Sequence, residues 1–342
     1  MSSSRPWLPA LASPLAHGRE MLFGFGLGVA AAYLLGALPR QRLWLLFFLW
    51  LGARLAWLLD PGGYAAFFLQ AAFALSFAGI VAPRFLGRGR KLRNLSIAPL
   101  IGLLALAAVA LDLLSRSHWP APEHLLVAAV LLFSWLMAFM GGRMIAPAAA
   151  GARYRQGENL TARVQPALEG AIIAMLSLAV ACALVLPVLE PAGALAIASG
   201  LLVALRLARW QLWRCSGRMD LWCLGLGYGW IALGLLLLGL ALLQGLPPYT
   251  ALHGITVGAM GTLTFNVMLR TSLQRSKQAL ERSRLIPVGT ALITLATLAR
   301  LKASFSPAGD MTLLWIAAMA WSTAYLLLAI RLLVRVGSRT NG

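Results

Sequence analysis

Charge is scarce in this chain, and acidic charge scarcer still. Of 342 residues only 11% are charged, with 10 Asp or Glu against 29 Lys or Arg, whereas a soluble domain carries about 25% charged residues. That shortage excludes an ordinary soluble domain. Cysteine is also rare. Cys182, Cys215 and Cys223 stand far apart with no CxxC pair, which excludes a disulfide framework and a zinc finger. No catalytic triad, phosphate loop or pair of intramembrane carboxylates is legible, so a common hydrolase or an ATP-driven pump has no support. The opening stretch MSSSRPWLPALASPLAHGRE has no short apolar core followed by a small-residue cleavage site, and the run after it is long enough to stay as a span.

What the chain has in plenty is apolar length: 60% of its residues are hydrophobic, with 12 Trp and 33 Gly. A membrane helix needs roughly 20 apolar residues. Eleven such runs are expected, over 20–38, 43–59, 64–82, 94–114, 124–146, 167–189, 191–209, 221–243, 249–270, 285–301 and 311–333. The second is short and holds Arg54, and the sixth and seventh are joined by LEPAG, which predicts a tight hairpin. No soluble domain fits between the runs and no repeat is evident. The expected architecture is therefore an all-α, polytopic membrane helix bundle, one integral membrane domain over 1–342. Small residues four apart, such as Gly24 and Gly28, Gly225 and Gly229, and Gly254 and Gly258, read as helix-packing positions.

Orientation follows from the basic residues. Twenty-three of the 29 fall in one set of loops, five fall in the opposite set, and Arg54 lies within a span. Positive residues stay on the cytoplasmic side, so the N-terminus is expected outside and the C-terminus in the cytoplasm, which requires an odd number of spans. The net charge of +19 is then a topology device facing anionic headgroups. It is scattered in short clusters, so nucleic acid is not an expected partner.

The four histidines lie toward the expected outer face. His118 and His124 flank a loop and read as solvated. His253, in TALHGITVGAMGTLTFNVMLR, is expected about one turn inside the ninth span. An ionisable group there is a functional candidate. Imidazole suits haem iron, copper or zinc. Met260 lies seven residues on, and Met21 four residues after His17, each nearly in register on an α-helix. His17 and His253, with Met21 and Met260, are thus candidate ligands for copper or haem. The competing reading is that His253 only locks helix packing. Glu20 and Arg19 follow His17 and could orient it; Arg19 is expected to pair with Glu20 or a headgroup phosphate. Arg143, behind two glycines in FMGGRMIAP, is either a snorkelling anchor or a contact for an anion or a haem propionate. Asn266 and Arg270 could line the same polar seam as His253.

Several stretches resemble the NnrS family. HGREMLFGFGLGVAAAYLLGALP is similar to its His-x-His-Glu-Met-Leu-Phe-Gly-Phe opening, GGRMIAP to its Gly-Gly-Arg segment, and LHGITVGAMGTLTFNVMLRTSL to its His-x-x-Thr-Val-Gly-Ala-x-Gly-Thr run. LWCLGLGYGWIALGLLLLG resembles another late span. The resemblance implies a multi-span bacterial inner-membrane protein, with haem and copper as cofactors and a role in nitric oxide tolerance. It implies roles for His17, Glu20, Met21, Gly141, Gly142, Arg143, His253, Thr256 and Gly258. Arg19 and Gly225 stand where the family has histidines, and the first of the family's usual twelve helices has no counterpart here. A small-metabolite carrier and a cofactor-free scaffold are the alternative functions. His17 and His253 are expected on neighbouring helices at one outer-side cavity.

Overall fold

A computed structural model describes residues 13–86, 95–116, 122–306 and 310–340. The opening stretch 1–12, the basic loop at Arg88–Arg93 and His118 lie outside the described residues.

The described chain folds into eleven helical rods, with no strand among the described residues. Rod α1 runs through Pro14–Arg19, a π-helical stretch Glu20–Gly26, and Leu27–Leu34. There follow α2 (Arg40–Leu59), α3 (Tyr64–Leu86), α4 (Ile97–Arg116), α5 (Pro122–Tyr154), α6 (Pro166–Val185), α7 (Glu190–Arg209) and α8 (Met219–Leu243). Rod α9 starts as a second π-helical stretch, Gly254–Gly261, and continues as Thr262–Arg275. Rods α10 (Leu285–Ser304) and α11 (Met311–Thr340) complete the chain.

Nine of these rods are long and apolar enough to cross a membrane. The other two are α1 and α9, whose continuous α segments are cut short by the π stretches. Their consecutive segments of six, seven and eight residues, and of eight and fourteen, follow without a break. At roughly 1.5 Å per residue each rod is about 30 Å long, enough for a bilayer core. The chain is thus a multi-pass membrane protein.

Element ends differ from the sequence reading where proline and glycine decide them. α1 begins at Pro14, six residues early, because Ser13 caps it by accepting from the Ala16 N–H at 3.0 Å. It ends early too, at Leu34, followed by Gly36 at φ +58°. Arg84 of α3 donates to the Leu35 carbonyl there, a helix-end contact for a residue counted above as a topology charge. LEPAG is not the sixth-to-seventh turn. α7 starts at Glu190 with Pro191 in its first turn, a position where the missing N–H costs nothing. Rod α9 begins later than expected. Pro248–Thr250 form a 3₁₀ turn, and His253 caps the rod instead of lying a turn inside it.

Contacts gather into two compact units. The first comprises residues 1–136 and 180–188, the second 137–179 and 189–342. In the first, α1 to α4 pack around Phe23, Leu27, Phe73, Phe77, Leu100 and Leu104, all buried. In the second, α8 is the central rod, packed against α7 and α9. There the small-residue reading holds at backbone level: a Cβ on Gly193 would lie 2.9 Å from the Gly239 carbonyl, and one on Gly234 2.8 Å from the Ile255 nitrogen. It does not hold at Gly24 and Gly28, which make room for side chains, Glu20 and Arg54 at the first and Trp50 at the second.

Candidate functional site

The first π stretch carries a buried ionic cluster. Arg19 grips Asp112 of α4 with two parallel bonds, Nε to Oδ1 at 2.6 Å and Nη2 to Oδ2 at 2.7 Å. Its Nη1 donates to Glu20 Oε1 at 2.6 Å. The second Glu20 oxygen lies 2.7 Å from Arg54 Nε of α2, and Arg54 Nη2 donates to Gln70 of α3. The Arg19 guanidinium also stands over the Trp57 ring, 5.4 Å from its centroid. Two cations and two anions make the cluster formally neutral. An isolated charge in lipid costs at least about 2.5–3.5 kcal/mol, so each group needs the others. Glu20, Arg54, Gln70 and Asp112 each stand four to six residues from the helix end at 14, 59, 64 or 116, about 6–9 Å deep at 1.5 Å per residue. The cluster is one layer.

Of the two partners expected for Arg19, Glu20 is the one it takes; buried, it binds Asp112 as well. One reading is corrected: paired intramembrane carboxylates exist, as Glu20 and Asp112, but Arg19 lies between them, so they form an ion-pair layer and not an acid–base pair. The missed signal is Arg54, an arginine in an apolar run with acidic groups in the neighbouring spans.

Both π stretches offer a carbonyl to a neighbouring rod. In a π turn the bonds run from i to i+5, and backbone carbonyls become available to other donors. Trp50 Nε1 donates to the Gly24 carbonyl at 2.8 Å. In α9, the Tyr325 hydroxyl of α11 donates to the Gly261 carbonyl at 3.0 Å. Each π stretch is thus held by an aromatic side chain from a neighbouring rod, and each closely follows a histidine.

His253 is half-buried, and its Nδ1 lies 3.2 Å from the Tyr249 carbonyl. A carbonyl only accepts, so Nδ1 is the donor in this contact, and in the neutral ring the lone pair is then on Nε2. Met260 is buried, and the wider π turn removes the argument that a seven-residue step returns to the same face. Thr256 donates to its own helix, at the Leu252 carbonyl, 3.2 Å away. In the first unit His17 is exposed and Met21 half-buried. His124 is not simply solvated: it is half-buried, with Nδ1 2.9 Å from the Ala183 carbonyl.

The Gly-Gly-Arg segment serves a second buried ion pair. Arg206 of α7 donates to Glu169 at 2.6 Å, to the Ala138 carbonyl at 3.0 Å and to the Tyr228 hydroxyl at 3.1 Å. A Cβ on Gly142 would collide with its guanidinium, and one on Gly141 would lie 2.7 Å from the Tyr228 ring. The two glycines therefore admit side chains of this chain itself. Arg143 is exposed, with its guanidinium 5.5 Å from the centre of the Phe139 ring. Gly141 meets α8 at Tyr228 and Gly254 meets it at Gly234, about 9 Å apart along the rod, so Arg143 and His253 stand at different depths. Sequence reading passed over Arg206, Glu169 and Tyr228 because Arg206 was absorbed into the loop charges.

A third ion pair closes the far end of the second unit. Arg218 grips Asp220 at 2.8 and 2.9 Å, and Arg270 donates to the same carboxylate. Asn266 turns to Thr290 of α10, at 2.9 Å.

A family model described as NnrS protein matches residues 1–337. The chain belongs to the NnrS family. That membership supports a nitric oxide-associated function at family level. No curated protein and no solved structure matches the chain. The buried layers lie on the segments that first resembled the family: Arg19 and Glu20 in the opening motif, Gly141 and Gly142 in the second, Tyr228 in the eighth span.

The family's metal association can be tested against these donors. No group of three or more His, Cys, Asp or Glu that could hold a metal ion occurs among the described residues. Both Glu20 oxygens are engaged by guanidinium groups, and burial pushes the Cys215 thiol up, which disfavours the metal-binding thiolate. A closed cage of side-chain ligands does not fit this donor set. A group held through single imidazoles is compatible with it, because the neutral His253 ring, with Nδ1 on the Tyr249 carbonyl, presents Nε2 as its donor nitrogen, and a backbone carbonyl is a common support for a metal-bound histidine.

Proposed function

We propose that this NnrS-family chain contributes to tolerance of nitric oxide and nitrosative stress in a bacterial inner membrane, through haem or copper held by imidazole. The observation that supports this most is the His253 tautomer at the head of the second π stretch. When bound, either metal supplies an open coordination position suited to a small diatomic ligand. His253 Nε2 is the principal donor and His17 a second candidate imidazole, with Met21 as a candidate thioether donor. Arg143, exposed and in reach of an anion, would contact a propionate or a lipid phosphate. Glu20 and Arg19 act by holding the first π stretch in place, and Thr256 by bracing the second.

Protein purified in mild detergent from cells supplied with haem and copper should show a Soret band or bound copper. His253→Ala should lose it, while His124→Ala keeps it. Cells carrying His253→Ala should then grow as poorly under nitric oxide as cells lacking the protein. Absence of either cofactor from the unaltered protein, together with unchanged tolerance in its absence, would overturn the proposal. Saturable uptake of a metabolite by proteoliposomes would favour a carrier instead.

A further inference from the structure

The second unit contains polar atoms that its packing does not explain. Asn266 of α9 is buried. Its Nδ2 donates to the Thr262 carbonyl at 2.8 Å and to Thr290 Oγ1 at 2.9 Å. Because a carbonyl only accepts, the amide orientation is settled, and Oδ1 has no hydrogen-bond partner among the described residues. One turn earlier, the Thr262 hydroxyl is fully buried and also without a partner. Thr256, Thr264, Thr294 and Thr297 all donate to the carbonyl four residues back; Thr262 does not. One turn earlier again, Trp230 packs against Gly258, and its buried indole N–H has no partner either.

These atoms follow one seam. Gly258, Thr262 and Asn266 are four apart along α9. On α8, a Cβ at Gly227 would meet Thr262 Cγ2 at 3.1 Å, and Trp230 lies one turn on. On α10, Thr297 faces Gly258 and Thr290 faces Asn266. Cys223 of α8 lies beside Thr290, so three rods contribute polar side chains at the Asn266 level. An unpaired buried acceptor or donor is costly, and native interiors rarely leave one unsatisfied unless water fills the role. Three on successive turns, in lipid-embedded helices where no bulk solvent can help, point to one cause.

We propose that water binds along this seam between α8, α9 and α10. A file of waters, about one to a turn, donates to Asn266 Oδ1, bonds the Thr262 hydroxyl and accepts from the Trp230 indole N–H. A buried water makes about three hydrogen bonds, and neighbouring waters supply those that the side chains do not. This site is independent of any metal at His253.

Radiolytic footprinting of the full-length protein in detergent, after rapid mixing into H₂¹⁸O, tests the proposal. Radicals formed from bound water label the side chains beside it. Cys223 and Trp230 should take up ¹⁸O several-fold more than Met260, a similarly buried residue on the neighbouring rod α9. Thr262→Val and Asn266→Leu should each lower labelling of Cys223 and Trp230, while Thr262→Ser, which keeps the hydroxyl, should leave it unchanged. Labelling of Cys223 and Trp230 no greater than that of Met260 would overturn the proposal. So would labelling that persists unchanged in both Thr262→Val and Asn266→Leu.

Discussion

The guanidinium of Arg206 fills the space that a Cβ on Gly142 would need. Glu169, Tyr228 and the Ala138 carbonyl hold that guanidinium from three other elements, so it cannot step aside. Gly142→Ala should therefore destabilise the protein by about 1–3 kcal/mol, the usual cost of overpacking. Gly102→Ala on α4 is the control. A Cβ there meets nothing within 4 Å, and the gain in helix propensity should stabilise by about 0.5–1 kcal/mol. Thermal unfolding in detergent should separate the two variants in opposite directions. Equal melting temperatures would show that the close approach at Gly142 does not exist.

Arg19 and Asp112 should be strongly coupled. Removing one member of a buried pair leaves the other charged and unpaired, at a cost of about 3–5 kcal/mol. Asp112→Leu and Arg19→Met should each be severely destabilising, and the double variant carrying both should cost less than the two single losses added together. A double-mutant cycle measured by unfolding in detergent gives the coupling. Simple additivity would mean that the two groups do not meet in the membrane.

Trp50→Phe and Tyr325→Phe each delete a hydrogen bond to a π-helical carbonyl, worth about 0.5–1.5 kcal/mol, and Tyr325→Phe also deletes the bond between its hydroxyl and Thr264. The effects should be local. Amide exchange should accelerate within 20–26 for the first variant and within 254–261 for the second. A uniform change across the chain, or none, would show that the aromatic donors do not hold these turns.

From the positive-inside count a cytoplasmic Gly342 is expected. A reporter active only outside the cytoplasm, fused after Gly342, should stay silent, and the same reporter placed near Glu123 should be active. The reverse pattern would overturn the orientation.

Hydropathy alone was sufficient for the number of rods and their approximate limits, because a bilayer demands long apolar runs whatever their partners. Charge asymmetry likewise implies an orientation without reference to packing. The opening HGREMLFG and the later HGITVGAMG were legible as special, since each sets a histidine against glycines in an apolar context. Their π geometry was not legible. It goes with contacts between residues distant in sequence, Trp50 on the Gly24 carbonyl and Tyr325 on the Gly261 carbonyl. Nor could the sequence separate arginines that mark topology from arginines that are buried. Arg206 and Arg270 sit in loop-edge clusters like the rest, yet each pairs with a carboxylate on another rod. An ion pair is a property of two positions brought within a few ångströms in a medium of low dielectric, and only tertiary packing decides which positions those are.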